Sequence, residues 1–86
     1  MTVYAIVSSL TSGHEDDQEQ IKNLNFKVGD KFEVENISMG QSYTSLTLKK
    51  FPKQSFNSSN FNFEEDGKEL NIFNDKRFNP YLSFYG

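Results

Sequence analysis

Lys31-Phe32-Glu33-Val34-Glu35 alternates charged and apolar side chains without a break. This is the pattern of a strand with one face on a core and the other in water. Val28-Gly29-Asp30 is a turn signal placed directly before it. Beyond it the phase slips, because Ile37 and Met39 no longer match Phe32 and Val34. One extra residue near Asn36 accounts for the slip, which predicts a β-bulge. Gly40-Gln41 is the next break, and Ser42-Tyr43-Thr44-Ser45-Leu46-Thr47-Leu48 resumes as a strand. Leu46 and Leu48 share one face, with Tyr43, Ser45 and Thr47 on the other. The centre of the chain is β structure.

Toward the N-terminus, Val3 to Ser9 is dense in β-branched and apolar residues and apolar on both faces, which predicts a central or well-covered strand. The chain must turn at Thr11-Ser12-Gly13-His14-Glu15. Ser12 followed three residues later by Glu15 has the spacing of a capping box. A short helix over Asp16–Leu24 follows, peripheral because Ile21 and Leu24 are its only apolar stripe. Toward the C-terminus, Pro52 cannot donate to a ladder, so Lys49 to Lys53 is a loop or an edge. Phe61-Asn62-Phe63 alternates, and Asp66-Gly67 predicts a type I′ hairpin turn joining it to a strand at Leu70-Asn71-Ile72-Phe73. The tail from Asn74 holds Phe78, Pro80, Tyr81, Leu82, Phe84 and Tyr85, apolar enough to be docked or paired. About five short strands and one short helix in a single domain, 1–86, predict a mainly β fold. A small five-stranded SH3-like barrel or rolled antiparallel sheet fits best, with an OB-fold as the alternative.

Composition limits the chemistry. Nine Phe and four Tyr in 86 residues supply buried area, while there is no Cys, no Trp and one His. A chain of this size buries only roughly 60–65% of its extended surface, so most Phe, Ile, Leu and Val must be core. Nucleophile–base pairs, thiolate metal sites and multi-His sites are largely excluded. The net charge of −3 creates no large field of either sign, which counts against duplex DNA as the default partner. The short apolar run at Val3–Val7 has no basic residue before it and is no signal peptide or membrane span. The protein is therefore expected in the cytoplasm, where Asn36-Ile37-Ser38 and Asn57-Ser58-Ser59 have no meaning as glycosylation patterns.

His14-Glu15-Asp16-Asp17 is the one place where a His stands beside carboxylates. Neighbours in sequence seldom converge on one ion, and a solvated helix start explains them without a metal. Glu33, Glu35, Glu64, Glu65, Asp66 and Glu69 read as surface charge, since none is placed where desolvation would raise its pKa for acid catalysis. No catalytic residue, cofactor or metal site is expected. Lys49, Lys50 and Phe51, with Lys76 and Arg77, set cations beside aromatics, as a single-strand nucleic-acid binder would. Gln41, Tyr43 and Lys53, with Asn79 and Tyr81 from the tail, are polar or amphipathic residues at breaks between strands. They are the candidate surface for a protein partner.

Taken as a set, several segments resemble small uncharacterised proteins carried by phages and mobile elements of Gram-positive bacteria. They are Gly13-His14-Glu15-Asp16-Asp17, Val28 to Val34, Met39-Gly40-Gln41-Ser42-Tyr43-Thr44, Ser55-Phe56-Asn57-Ser58, Phe61-Asn62-Phe63, Asp66-Gly67-Lys68 and Phe78-Asn79-Pro80-Tyr81. The resemblance implies a phage or prophage accessory protein and supplies no catalytic residues. The expectation is a non-enzymatic module that binds a host or phage protein, with single-stranded nucleic acid as the second reading.

Overall fold

The computed structural model describes residues 2–40 and 43–81. Its strands are β1 (Val3–Val7), β2 (Lys31–Met39), β3 (Thr44–Leu48), β4 (Phe51–Asn57), β5 (Phe61–Glu65) and β6 (Lys68–Leu70), with a helix α1 (Glu15–Asn23) between β1 and β2. All neighbouring strands pair antiparallel in one sheet of order β4-β3-β2-β1-β5-β6. Among the described residues, β4 and β6 remain as edges. The mainly β, antiparallel expectation holds, but the sheet has six strands in place of five and is open, not closed as an SH3-like barrel or an OB-fold would be.

The sheet curls strongly although it does not close. β2 pairs with β1 through Lys31–Glu33 and with β3 through Val34–Met39, so one long strand serves both halves. The register passes from Val34↔Leu48 to Asn36↔Thr47, leaving Glu35 as the extra residue of a bulge. That bulge is the predicted slip. It returns Ile37 and Met39 to the side of Leu46 and Thr44 and adds local twist. The curl brings Phe56 of β4 and Phe61 of β5 to a ring separation of 6.0 Å, although three strands lie between β4 and β5 in the sheet.

The core lies inside this curl. Ala5 and Val7, Leu46 and Leu48, and Phe61 and Phe63 come from alternate positions of their strands. Phe26, Phe56 and Ile72 join them, and Ile21 is the one buried side chain of α1. The helix is peripheral, as its thin stripe predicts. It begins one residue before the expected Asp16–Leu24, and its cap is two residues after Ser12. Gly13 takes φ +82°, and His14 is the N-cap, its N–H donating to Asp17 Oδ2 at 3.0 Å. Asp17 therefore does what sequence spacing assigned to Glu15.

At the other end, Asp66 and Gly67 both have positive φ, 53° and 77°, as a type I′ turn requires. Pro52 falls in edge strand β4, where its missing N–H does least harm. The strand expected over Leu70–Phe73 stops at Leu70. The Asn71 side chain accepts from Phe73 N–H at 3.0 Å and starts a 3-10 turn over Ile72–Asn74. The tail does dock as far as Tyr81, with Phe78 packed against the core. Leu82, Phe84 and Tyr85 lie outside the described residues.

Candidate functional site

A cleft of about 530 Å³ opens where the β2–β3 connection, the end of β4 and the start of α1 meet the tail. Each of these segments reaches it for a local reason. Gly40 N–H donates to Tyr43 O at 2.9 Å, which holds Tyr43 beside the end of β2 at the cleft. Asn57 caps the 3-10 turn at Ser58–Asn60 by accepting from Ser59 N–H at 2.9 Å, which brings Ser58 and Ser59 into the wall. Its amide nitrogen donates to Asp17 Oδ2 at 3.1 Å, tying this wall to the helix start and to His14.

Asn79 organises the opposite wall. Its Nδ2 donates to Phe73 O at 2.8 Å, its Oδ1 accepts from Tyr81 N–H at 3.0 Å, and its own N–H donates to Asp75 O at 2.8 Å. One side chain thereby ties together the backbone at two residues of the cleft, Phe73 and Tyr81. Tyr43 is 45% exposed and Phe73 50%, two of the three large hydrophobic residues exposed among the described ones. Partial burial pushes the Tyr43 phenol above its ordinary pKa, and the Asp17 carboxylate adds a smaller push the same way. The Tyr43 hydroxyl stays a neutral donor at physiological pH.

Of the residues singled out for partner binding, Tyr43, Asn79 and Tyr81 therefore meet at one cleft. Lys53, on edge strand β4, does not line it, and Gln41 lies outside the described residues. Phe73 and His14 join the lining without having been singled out for this surface. The available signal for Phe73 is Asn71, whose capping bond turns the ring out of the sheet.

The basic–aromatic residues do not gather in one place. Lys49 is bound to Glu33. Lys50 stands over Phe51, its Nζ 5.9 Å from the ring centre, beside Phe26 and Phe32. Arg77 lines a separate hollow with Val3, Val34 and Phe78. It reaches Glu65 at 2.8 and 2.9 Å and Asp75 at 2.6 Å. Lys76 is exposed and has no ion pair among the described residues. Arg77 is thus a clasp between tail and sheet. Its hydrogen bonds hold the Glu65 and Asp75 carboxyls below their ordinary range. A carboxyl lowered in the folded state stabilises above its unfolded pKa and loses this as pH falls through the folded one. Tail docking is therefore expected to weaken below about pH 4. Hydrogen exchange at the Phe78 and Asn79 amides, both bonded to Asp75 O, should show this step. The step should be missing in Arg77→Ala.

Among the described residues, no three His, Asp or Glu side chains converge to hold a metal ion. None of their helices is long and apolar enough to cross a membrane. The family described as Bacteriophage T4 protein Y07B matches residues 2–84. No curated protein and no solved structure matches the chain.

Proposed function

Because the chain belongs to the bacteriophage T4 protein Y07B family, we propose that it is a phage accessory protein that binds a host or phage protein and catalyses no reaction. It acts in the cytoplasm of the infected cell. A Gram-positive host is part of the proposal and rests on the sequence resemblance alone. The observation that carries the reading is the convergence of Tyr43, Asn79 and Tyr81, from segments far apart in sequence, on one cleft that also bears the half-exposed Phe73. Exposed aromatics grouped around a concave site are the residue types that dominate protein interfaces.

The test is affinity capture of the tagged full chain from a Gram-positive lysate, with and without nuclease, beside a Tyr43→Ala/Phe73→Ala variant. A protein captured despite nuclease and retained at least about tenfold less by the variant supports the reading. Capture unchanged by the two substitutions counts against it. Capture abolished by nuclease turns attention to Lys50, Phe51 and Lys76 and to single-stranded nucleic acid.

A further inference from the structure

The cleft offers three aromatic rings and no cation. Tyr43, Phe73 and Tyr81 line it, while no Lys or Arg does so among the described residues. The stacked and edge-on rings of the core run through Phe26, Phe32, Phe51, Phe56 and Phe61. The three cleft rings stand outside this chain, so their faces are not taken up by one another. An aromatic face carries negative charge density and attracts an ammonium or guanidinium group.

The charges beside the cleft have the same preference. The first turn of α1 holds Glu15, Asp16 and Asp17, next to the lining residue His14. The ion pairs of the described residues engage Glu33, Glu64, Glu65 and Asp75, so the first-turn carboxylates have no cationic partner among these residues. Asp17 is held by two neutral donors, His14 N–H and Asn57 Nδ2, which fix its position without cancelling its charge. The positive end of the helix dipole amounts to only about half a charge, against three carboxylates. The Asp17 carboxylate also acts on the Tyr43 phenol inside the cleft. A cation at the cleft gains from the rings and from the Asp17 carboxylate bonded to the lining residue Asn57, whereas an anion gains from neither.

We propose that the cleft receives an arginine or lysine side chain projecting from the partner protein, seated against Tyr43, Phe73 and Tyr81 and facing the acidic first turn of α1. This deepens the binding-module reading and rests on it.

The test is NMR titration of the full-length protein with three capped tripeptides, Gly-Arg-Gly, Gly-Lys-Gly and Gly-citrulline-Gly. Citrulline keeps the shape of arginine and removes its charge. The ring resonances of Tyr43, Phe73 and Tyr81 are expected to move with the arginine or lysine peptide. Binding of that peptide should be at least about fivefold tighter than that of the citrulline peptide. Glu15→Gln/Asp16→Asn should narrow the difference, Phe73→Ala should weaken the cationic peptide, and Phe73→Tyr should restore it. Unchanged Phe56 ring resonances establish that each variant is folded. Equal binding of the citrulline peptide at these rings overturns the cationic occupant and leaves a binding cleft. Shifts confined to other surfaces, or none at millimolar peptide, overturn it as well. The binding-module reading is then decided separately by the capture experiment.

Discussion

Phe56→Ala is expected to remove about 3–5 kcal/mol of stability, a large share of the roughly 5–15 kcal/mol a domain has in all. The reason is where the ring sits. Phe56 is 1% exposed, pairs across the ladder with Leu46, and packs against Phe26 at 5.8 Å, Phe51 at 6.3 Å and Phe61 at 6.0 Å. In a closed barrel, ladder hydrogen bonds would join the last strand to the first. Here edge strand β4 approaches β5, the neighbour of the other edge, without such a ladder, and the Phe56–Phe61 contact packs them together. Truncating Phe56 therefore opens a cavity and loosens the contact that holds the curl together. Urea unfolding followed by circular dichroism should show the midpoint collapse. Phe73→Ala makes the same chemical change on a ring that is half exposed, and should stay within about 0.5 kcal/mol of wild type. Equal losses at the two positions would mean that the curl is not held as described.

The strands at the centre of the chain were legible because each carries its own period. Phe32 and Val34, then Ile37 and Met39, mark both the strand and the bulge at Glu35. Asp66-Gly67 was legible because its two positive φ values are a local requirement. What failed were outcomes settled by a competing local bond or by distant pairing. Leu70-Asn71-Ile72-Phe73 alternates like a strand, but the Asn71 side chain offers the backbone another partner and turns the chain away. Ser12 has the capping spacing, yet Gly13 at φ +82° follows it and the N-cap is His14. Closure depends on how far the sheet curls, which no window of sequence records. The candidate site was legible in the same proportion. Tyr43, Asn79 and Tyr81 stood out as amphipathic residues at breaks, whereas Phe73 was hidden by its alternation. The carboxylates that engage Arg77 include Glu65, twelve residues away, and nothing local joins the two.

Gly13→Ala is the second large effect, expected at about 2–4 kcal/mol. Part of it is the left-handed backbone, since φ is +82° and an L side chain there is strained. The rest is crowding. A Cβ would stand 2.8 Å from Asp17 Oδ2 and 3.0 Å from Asn57 Nδ2, the two groups that bond the helix start to the end of β4. Gly29→Ala provides the comparison. Its φ is +97° and nothing lies within 4 Å of the added carbon, so it should lose only the conformational part, about 1–2 kcal/mol. Because Asp17 also receives His14 N–H, the substitution must shift one wall of the cleft as well as weaken the fold. Ring resonances of Tyr43 should move in Gly13→Ala and stay in place in Gly29→Ala. A double-mutant cycle with Asp17→Ala isolates the contact. Removing the carboxylate takes away the nearest obstacle while the Asp17 Cβ position, 3.2 Å off, remains. The cost of Gly13→Ala should then fall by about 1 kcal/mol. An unchanged cost would place the whole effect in the backbone, and would mean that Gly13 serves the turn and not the junction beneath the cleft.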